Sequence, residues 1–220
     1  LPNTTEFILS YLAINTLGAV MQTLHMPYRG SELAFLLEHS GASCFIGLAE
    51  FKDNSPAQNV KNLGVEHVIA LGKEVEGVHA FTDLLGLEPL EDFPDVSAAD
   101  PFLLLYTSGT TGNPKGVPLA YRNFMSNARM SVPELEISTS DIILCAAPFT
   151  HLYGLFTLHL ALNSGAATAL LPVFTPPAFV ANIQALKPSC VFAGPAHFAA
   201  LMQLGLFDAL DLSGVDFICL

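Results

Sequence analysis

Residues 106–117 read YTSGTTGNPKGV and follow directly on the apolar run FLLL of residues 102–105. Gly109 and Gly112 permit the backbone to turn its successive N–H groups inward, forming a nest for an anion. Thr107, Ser108, Thr110 and Thr111 add hydroxyl donors, Pro114 stiffens the turn, and Lys115 brings a full positive charge. A helix pattern starting near Leu119 follows, so the loop falls at the carboxyl end of a strand, where open α/β sheets place their ligands. The reading is a phosphate cradle. A plain surface turn uses the same residue types, but the run of donors, the lysine and the preceding strand together favour phosphate. A Walker A loop fits poorly: counted from Gly109, Pro114 precedes Lys115 and Gly116 follows it, so the second glycine and the Mg2+-binding hydroxyl are missing.

Outward from the loop, short apolar runs bounded by turn residues alternate with longer amphipathic ones. This is the pattern of βα units feeding mostly parallel sheets flanked by helices, an α/β fold. Before the loop, TTEFILSYLAINTLG reads as a helix with threonine caps and Gly18 as its stop, followed by the strand AVMQTLH. SELAFLLEHSG repeats the device with Ser31 as N-cap and Gly41 as terminator, leading into ASCFIGL. SPAQNVKNLG and VEHVIAL form a further pair. After the loop the strands FLLLYT, IILCAAP, ATALLPV, CVFAG and VDFICL are interleaved with the helices LAYRNFMSNARMSV, LYGLFTLHLALNSG, PPAFVANIQALK and AHFAALMQLG. Residues 87–101, LEPLEDFPDVSAADP, are acidic, carry three prolines and lack periodicity. They divide the chain into a first βα sub-lobe (1–86), a connector (87–101) and a second sub-lobe with the loop (102–220).

Composition narrows the function. Against 20 Asp and Glu stand only 8 Lys and Arg, which leaves no basic stripe to track a nucleic-acid backbone. Nucleic acid is therefore not an expected partner, and Lys115, with no other lysine between Lys73 and Lys187, gains interest as an anion contact. Residues 142–186 carry no charged side chain, yet Pro148, Gly154, Gly165, Pro172 and Pro176-Pro177 cut them into pieces shorter than the ~20 residues a membrane span needs. Buried strands and helices are the better reading, with no transmembrane segment. Cys44, Cys145, Cys190 and Cys219 lack metal or redox spacing and read as small buried strand residues suited to a reducing cytosol, hence a cytoplasmic protein. A homo-oligomer stays open.

YTSGTTGNPKGV closely resembles the signature of the adenylate-forming superfamily, which includes acyl-CoA synthetases, luciferases and peptide-synthetase adenylation domains. LPNTTEFILSYLAINTLGAV and PYRGSELAFLLEHSGASCFI are similar to that family's early segments, and PFTHLYGLF is similar to its Pro-x-aromatic-His-x-x-Gly-Leu segment. The resemblance covers nearly the whole chain and is nearest to an acyl-CoA synthetase.

The resemblance implies that the loop wraps the ATP phosphates while a carboxylate attacks the α-phosphorus and pyrophosphate leaves. Thr107, Ser108, Gly109, Thr110, Thr111, Gly112 and Lys115 would then bind ATP. Such chemistry is catalysed mainly by positioning and charge stabilisation, which a donor-rich loop and Mg2+ supply. Coenzyme A would accept the acyl group; a carrier-protein arm, oxygen, or a phosphate-binding role without catalysis are the alternatives. The resemblance also places His151 near the acyl pocket and the substrate carboxylate, although a lone histidine in an apolar stretch is more often packed in the core. Thr150 stands where relatives commonly carry an aromatic residue. AGPAHFAAL resembles the opening of an acyl-pocket helix, with Gly194 and Pro195 at its start, and an ordinary strand-to-helix turn is the alternative. The catalytic lysine and the Mg2+-binding glutamate of the family are expected beyond Leu220, and the chain is expected to be a piece of the large N-terminal domain, cut at both ends. The substrate expected is a small or medium apolar acid in fatty-acid metabolism.

Overall fold

The sequence's alternation becomes a series of short strands and helices in the computed structural model, which describes residues 1–107 and 114–220. In the first half these are α1 (Thr5–Thr16), β1 (Met21–Gln22), α2 (Gly30–Ser40), β2 (Cys44–Leu48), α3 (Pro56–Asn62) and β3 (His67–Leu71). Next come β4 (His79–Ala80), α4 (Phe81–Leu84), β5 (Pro101–Thr107) and β6 (Lys115–Ala120). The remainder is α5 (Tyr121–Glu134), β7 (Ile142–Cys145), α6 (Leu152–Ser164), β8 (Ala167–Ala169), α7 (Pro176–Leu186), β9 (Cys190–Phe192), α8 (Pro195–Gln203) and β10 (Phe217–Cys219). The chain divides into two compact units, the first dominated by Leu9–Val96 and Pro101–Pro118, the second by Pro2–Ile8, Ser97–Asp100 and Leu119–Leu220.

The first unit holds two sheets. One has the order β2-β3-β4, parallel throughout, with Cys44 opposite His67 and Leu48 opposite Leu71. Leu33 and Leu37 of α2 and Ala57 and Val60 of α3 join Val68 and Ala70 of β3 in its core. The other has the order β1-β5-β6, with Met21 and Gln22 parallel to Leu103 and Leu104. Phe102 and Leu103 are fully buried, as an uninterrupted apolar run demands.

In the second unit all strand pairs are parallel and the order is β10-β9-β7-β8. Successive residues of β7 point to opposite faces: Leu144 joins Phe179, Val180, Ile183 and Leu201 of α7 and α8, while Ile143 and Cys145 join Leu160 and Ala161 of α6. With both faces covered by helices the strands need apolar residues at every position. That accounts for residues 142–186 without a charge, and no described helix is long and apolar enough to cross a membrane. At the amino ends of the strands, the Ser189 hydroxyl donates to Asp141 Oδ1 (2.7 Å) and accepts from Ile142 N–H (3.1 Å), tying the start of β7 to that of β9.

Three local expectations change. Helix α2 opens at Gly30 behind an extended Arg29, whose N–H donates to Glu32 Oε2 (3.3 Å), so Ser31 lies inside the helix and is not its cap. The lysine end of the loop enters a strand, β6, and the helix follows only at Tyr121. Of the cysteines, Cys145 and Cys190 are buried, Cys219 is half-buried, and Cys44 is exposed because it begins an edge strand. Gly41 and Gly165 do terminate their helices in the left-handed conformation, at φ 63° and 76°.

Helix α6 packs on α5, and His159 lies in it only 3% exposed, its ring edge-on to Phe124 at 4.7 Å. Burial pushes its pKa down to about 4 from an ordinary 6.5. The unfolded chain therefore binds a proton between these values that the folded chain does not, so stability is full above pH 6.5 and falls as pH drops towards 4. The loss is about 3 kcal/mol at one kcal-scale step per pKa unit. Urea melts at pH 7 and pH 4.5 should show this fall, and His159→Gln should reduce the acid slope by up to one proton; an unchanged slope would clear His159 of the effect.

Candidate active site

In the first unit, β5 delivers Thr107 to its carboxyl end and β6 begins with Lys115; the strands are neighbours and both residues are exposed. Ser108, Gly109, Thr110, Thr111 and Gly112 lie outside the described residues. Just before the loop, the Tyr106 hydroxyl hydrogen-bonds His39 Nδ1 of α2 (2.7 Å), and His39 in turn stacks on Phe35. A Cβ on Gly116 would come within 3.3 Å of Leu104 and 3.4 Å of Tyr106, so the small residue on β6 lets the β5 side chains lie across it. Among the described residues no ion pair occupies Lys115. A Walker lysine opens a helix after its loop; Lys115 opens a strand, six residues ahead of α5. The position agrees with the spacing argument against Walker A.

In the second unit, the chain runs from β7 to β8 in one direction, then returns across β7 to β9 and on to β10. The order reverses between β7 and β9, and such a switch point opens a crevice at the carboxyl ends of the two strands. His151 follows β7 and Gly194-Pro195 follow β9, so the structure brings these three candidates to the same end of adjacent strands. His151 is exposed, not packed in the core. It caps α6: Nδ1 accepts from Tyr153 N–H (3.2 Å), which leaves the proton of a neutral ring on Nε2. Thr150 and Phe149 beside it are buried.

Gly194 is the extended residue before α8, with Pro195 in the first turn where its missing N–H costs nothing. The Gly194 N–H donates to His197 Nδ1 (2.9 Å), and burial pushes the His197 pKa down, which favours the neutral ring this bond requires. Tyr153 donates its hydroxyl to Cys219 O at the end of β10 (2.8 Å), and its ring meets Phe192 edge-on at 6.0 Å. Burial pushes the Cys145 thiol up to about 11, so it stays protonated and is no nucleophile. Phe192 and Phe198 pack into the cores and Met202 is exposed.

The residues that hold this end of the sheet escaped sequence reasoning. Asn3 is buried and bonds to the segment between β7 and His151. Gly154 lies so close to that segment that a Cβ would sit 2.3 Å from Pro148 O. The PFTHLYGLF stretch contained the signal for Gly154, because a glycine in the first turn of an apolar helix asks for a close backbone neighbour.

A family model described as AMP-binding enzyme matches residues 1–220. The chain belongs to the AMP-binding enzyme family. It is 32% identical to 4-coumarate–CoA ligase 4 of Arabidopsis thaliana over 98% of this chain and 40% of that protein. The 4-coumarate–CoA ligase 1 of Solanum tuberosum is 30% identical, over 98% of this chain and 40% of the relative. Among solved structures, an anthranilate CoA ligase in complex with anthranoyl-AMP superposes with a TM-score of 0.87 at 24% identity, over 97% of this chain and 42% of that one. Mycobacterium smegmatis MbtA gives 0.80 at 26% identity, over 92% and 39%. These likenesses establish the α/β fold as that of the large domain of AMP-binding enzymes, and the chain spans about 40% of the length of these relatives. Its mostly parallel sheets flanked by helices agree with the expectation from sequence.

Proposed function

We propose that the protein containing this chain activates a carboxylic acid with ATP and passes the acyl group to coenzyme A. The observation that carries the reading is the convergence of His151 and Gly194-Pro195 at the switch point between β7 and β9, in a chain whose relatives are named CoA ligases. A carboxylate oxygen attacks the α-phosphorus of ATP, the bond to the β-phosphate oxygen breaks, and pyrophosphate departs. A thiolate then attacks the acyl carbon, the acyl C–O bond of the mixed anhydride breaks, and AMP leaves with its electron pair.

The residues present fit the phosphate part of this chemistry. Thr107 and Lys115 are exposed on neighbouring strands, so a hydroxyl donor and an ammonium stand at the two ends of the same loop. The loop residues Ser108, Gly109, Thr110, Thr111 and Gly112 complete the donor set in sequence. Mg2+ would neutralise phosphate charge as pyrophosphate develops. His151, whose Nδ1 is taken by Tyr153 N–H, can donate from Nε2 to a carboxylate oxygen at the switch point.

The acid is aromatic in our reading, because the named relatives act on 4-coumarate and anthranilate. A fatty acid is the second choice, supported by the likeness to a long-chain-fatty-acid–CoA ligase from Archaeoglobus fulgidus. A cytoplasmic location agrees with the free thiols of all four cysteines. Carboxylate-dependent exchange of labelled pyrophosphate into ATP tests the proposal, using the full-length protein and a panel of aromatic, alicyclic and fatty acids. Exchange with cinnamate-like acids and CoA-dependent release of AMP is the expected result. No exchange with any acid by folded protein would reject adenylation, and exchange without CoA turnover would move the acceptor to a carrier arm.

A further inference from the structure

We propose that Asn3 is a positioning residue that holds the loop carrying His151 at the carboxyl end of the second unit's sheet. Strand β7 ends at Cys145, and Ala146 N–H still pairs with Phe192 O of β9 (2.8 Å). Beyond that point the chain leaves the ladder, and its polar backbone groups need other partners if they are buried. The carboxamide of Asn3 supplies two of them. Its Nδ2 donates to Ala147 O (2.9 Å) and its Oδ1 accepts from Phe149 N–H (2.7 Å), the two roles a neighbouring strand would play.

The arrangement is built and not incidental. Asn3 is 3% exposed, and its own N–H donates to Pro172 O (3.1 Å), in the segment that follows β8. One residue thus ties together the segments that leave the carboxyl ends of β7 and β8. Phe7, one turn into α1, lies with its ring 5.5 Å from that of Phe149, which adds an apolar anchor at the same place. On the other side Gly154 presses against Pro148 O, so the segment is gripped from both sides just before it turns to His151. The turn itself closes with His151 N–H on Pro148 O (2.9 Å). Moving residues 147–149 moves the imidazole with them, and an error of about 1 Å in such a group is enough to cost on the order of a hundredfold in rate.

The kinetic part of this inference rests on the carboxylate-activation reading; the structural part does not. In the full-length protein, Asn3→Leu removes both bonds in a side chain of similar size, and Asn3→Asp keeps the acceptor for Phe149 N–H but loses the donor to Ala147 O. The expected result is a tenfold or greater rise in the KM for the carboxylic acid in Asn3→Leu, a smaller rise in Asn3→Asp, and a KM for ATP within twofold of the parent. Loss spread equally over both substrates, or an acid KM unchanged in folded variants, would overturn it. Hydrogen exchange in the unaltered protein is the second measurement. The Phe149 amide should exchange at least a hundredfold more slowly than an unprotected amide, and fast exchange there would reject the clamp even if neither variant folds. Absence of all carboxylate-dependent activity in the parent would reject the adenylation reading alone, with the Phe149 amide still deciding on Asn3.

Discussion

Gly154→Ala should destabilise the protein by about 3 kcal/mol or more, although alanine is the better helix former. In an unobstructed helix the change would gain up to ~1 kcal/mol. Here the added Cβ would lie 2.3 Å from Pro148 O, 2.7 Å from Pro148 C and 3.0 Å from Ala147 O. These are backbone atoms, flanked by buried Ala147 and Phe149, and cannot rotate away, so either the first turn of α6 lifts off or the segment before His151 shifts. Lifting α6 would break the packing of its Leu160 and Ala161 on Ile143 and Cys145 of β7 and expose Leu155 and Leu158, which are buried to within 2%. Gly47 provides the internal control. Its Cβ would meet the ring of Phe45 at 2.3 Å, a side chain that can swing aside, so Gly47→Ala should cost clearly less. Thermal or urea melts of the two variants check the ranking. Equal stability would show that the segment before His151 gives way as easily as a ring.

The parts of this fold that were legible in the sequence are those whose cause is local. Runs such as IILC and CVF are apolar at every position because helices cover both faces of the sheet, and the two glycines that stop α2 and α6 are visible as glycines. Strand β6 was not legible, because KGVPLA contains Gly116 and Pro118, both of which weaken a strand pattern. Its place at the edge of the order β1-β5-β6 is what makes the proline tolerable, and edge position is a property of the assembled sheet. The exposure of Cys44 has the same origin at the edge of the other sheet. Ser31 looked like a cap because serine is a good one, but Glu32 closing on Arg29 N–H fixed the helix start earlier. For the site, His151 and Gly194 were reached only through resemblance to a family. Asn3 was out of reach altogether, since its partners lie 144 and 146 residues away and nothing in LPNTTEF foretells them.

Lys115→Ala should lower kcat/KM for ATP by about 10- to 100-fold, the range set by losing one charge-assisted contact worth about 1.5–3 kcal/mol. The fold should not notice: Lys115 is exposed at the first residue of β6, and surface changes of this kind stay within about 0.5 kcal/mol. The size of the effect follows from the chain's charge. At a formal net charge of −12, bringing in an anionic nucleotide works against the general field, so the few cations near its path count for more. That argument also fixes the salt dependence. In the parent, raising ionic strength should screen both the repulsion and the lysine's attraction, whereas in Lys115→Ala only the repulsion remains, so added salt should help the variant relative to the parent. Lys115→Arg keeps the charge but changes a compact ammonium for a planar fork, and should recover part of the loss. Acid-side KM should move little in either variant. Measuring ATP kinetics at two ionic strengths, beside melting curves, separates these outcomes: unaltered ATP kinetics in Lys115→Ala would remove the lysine from the phosphate site and leave the cradle to the hydroxyls and backbone of its loop.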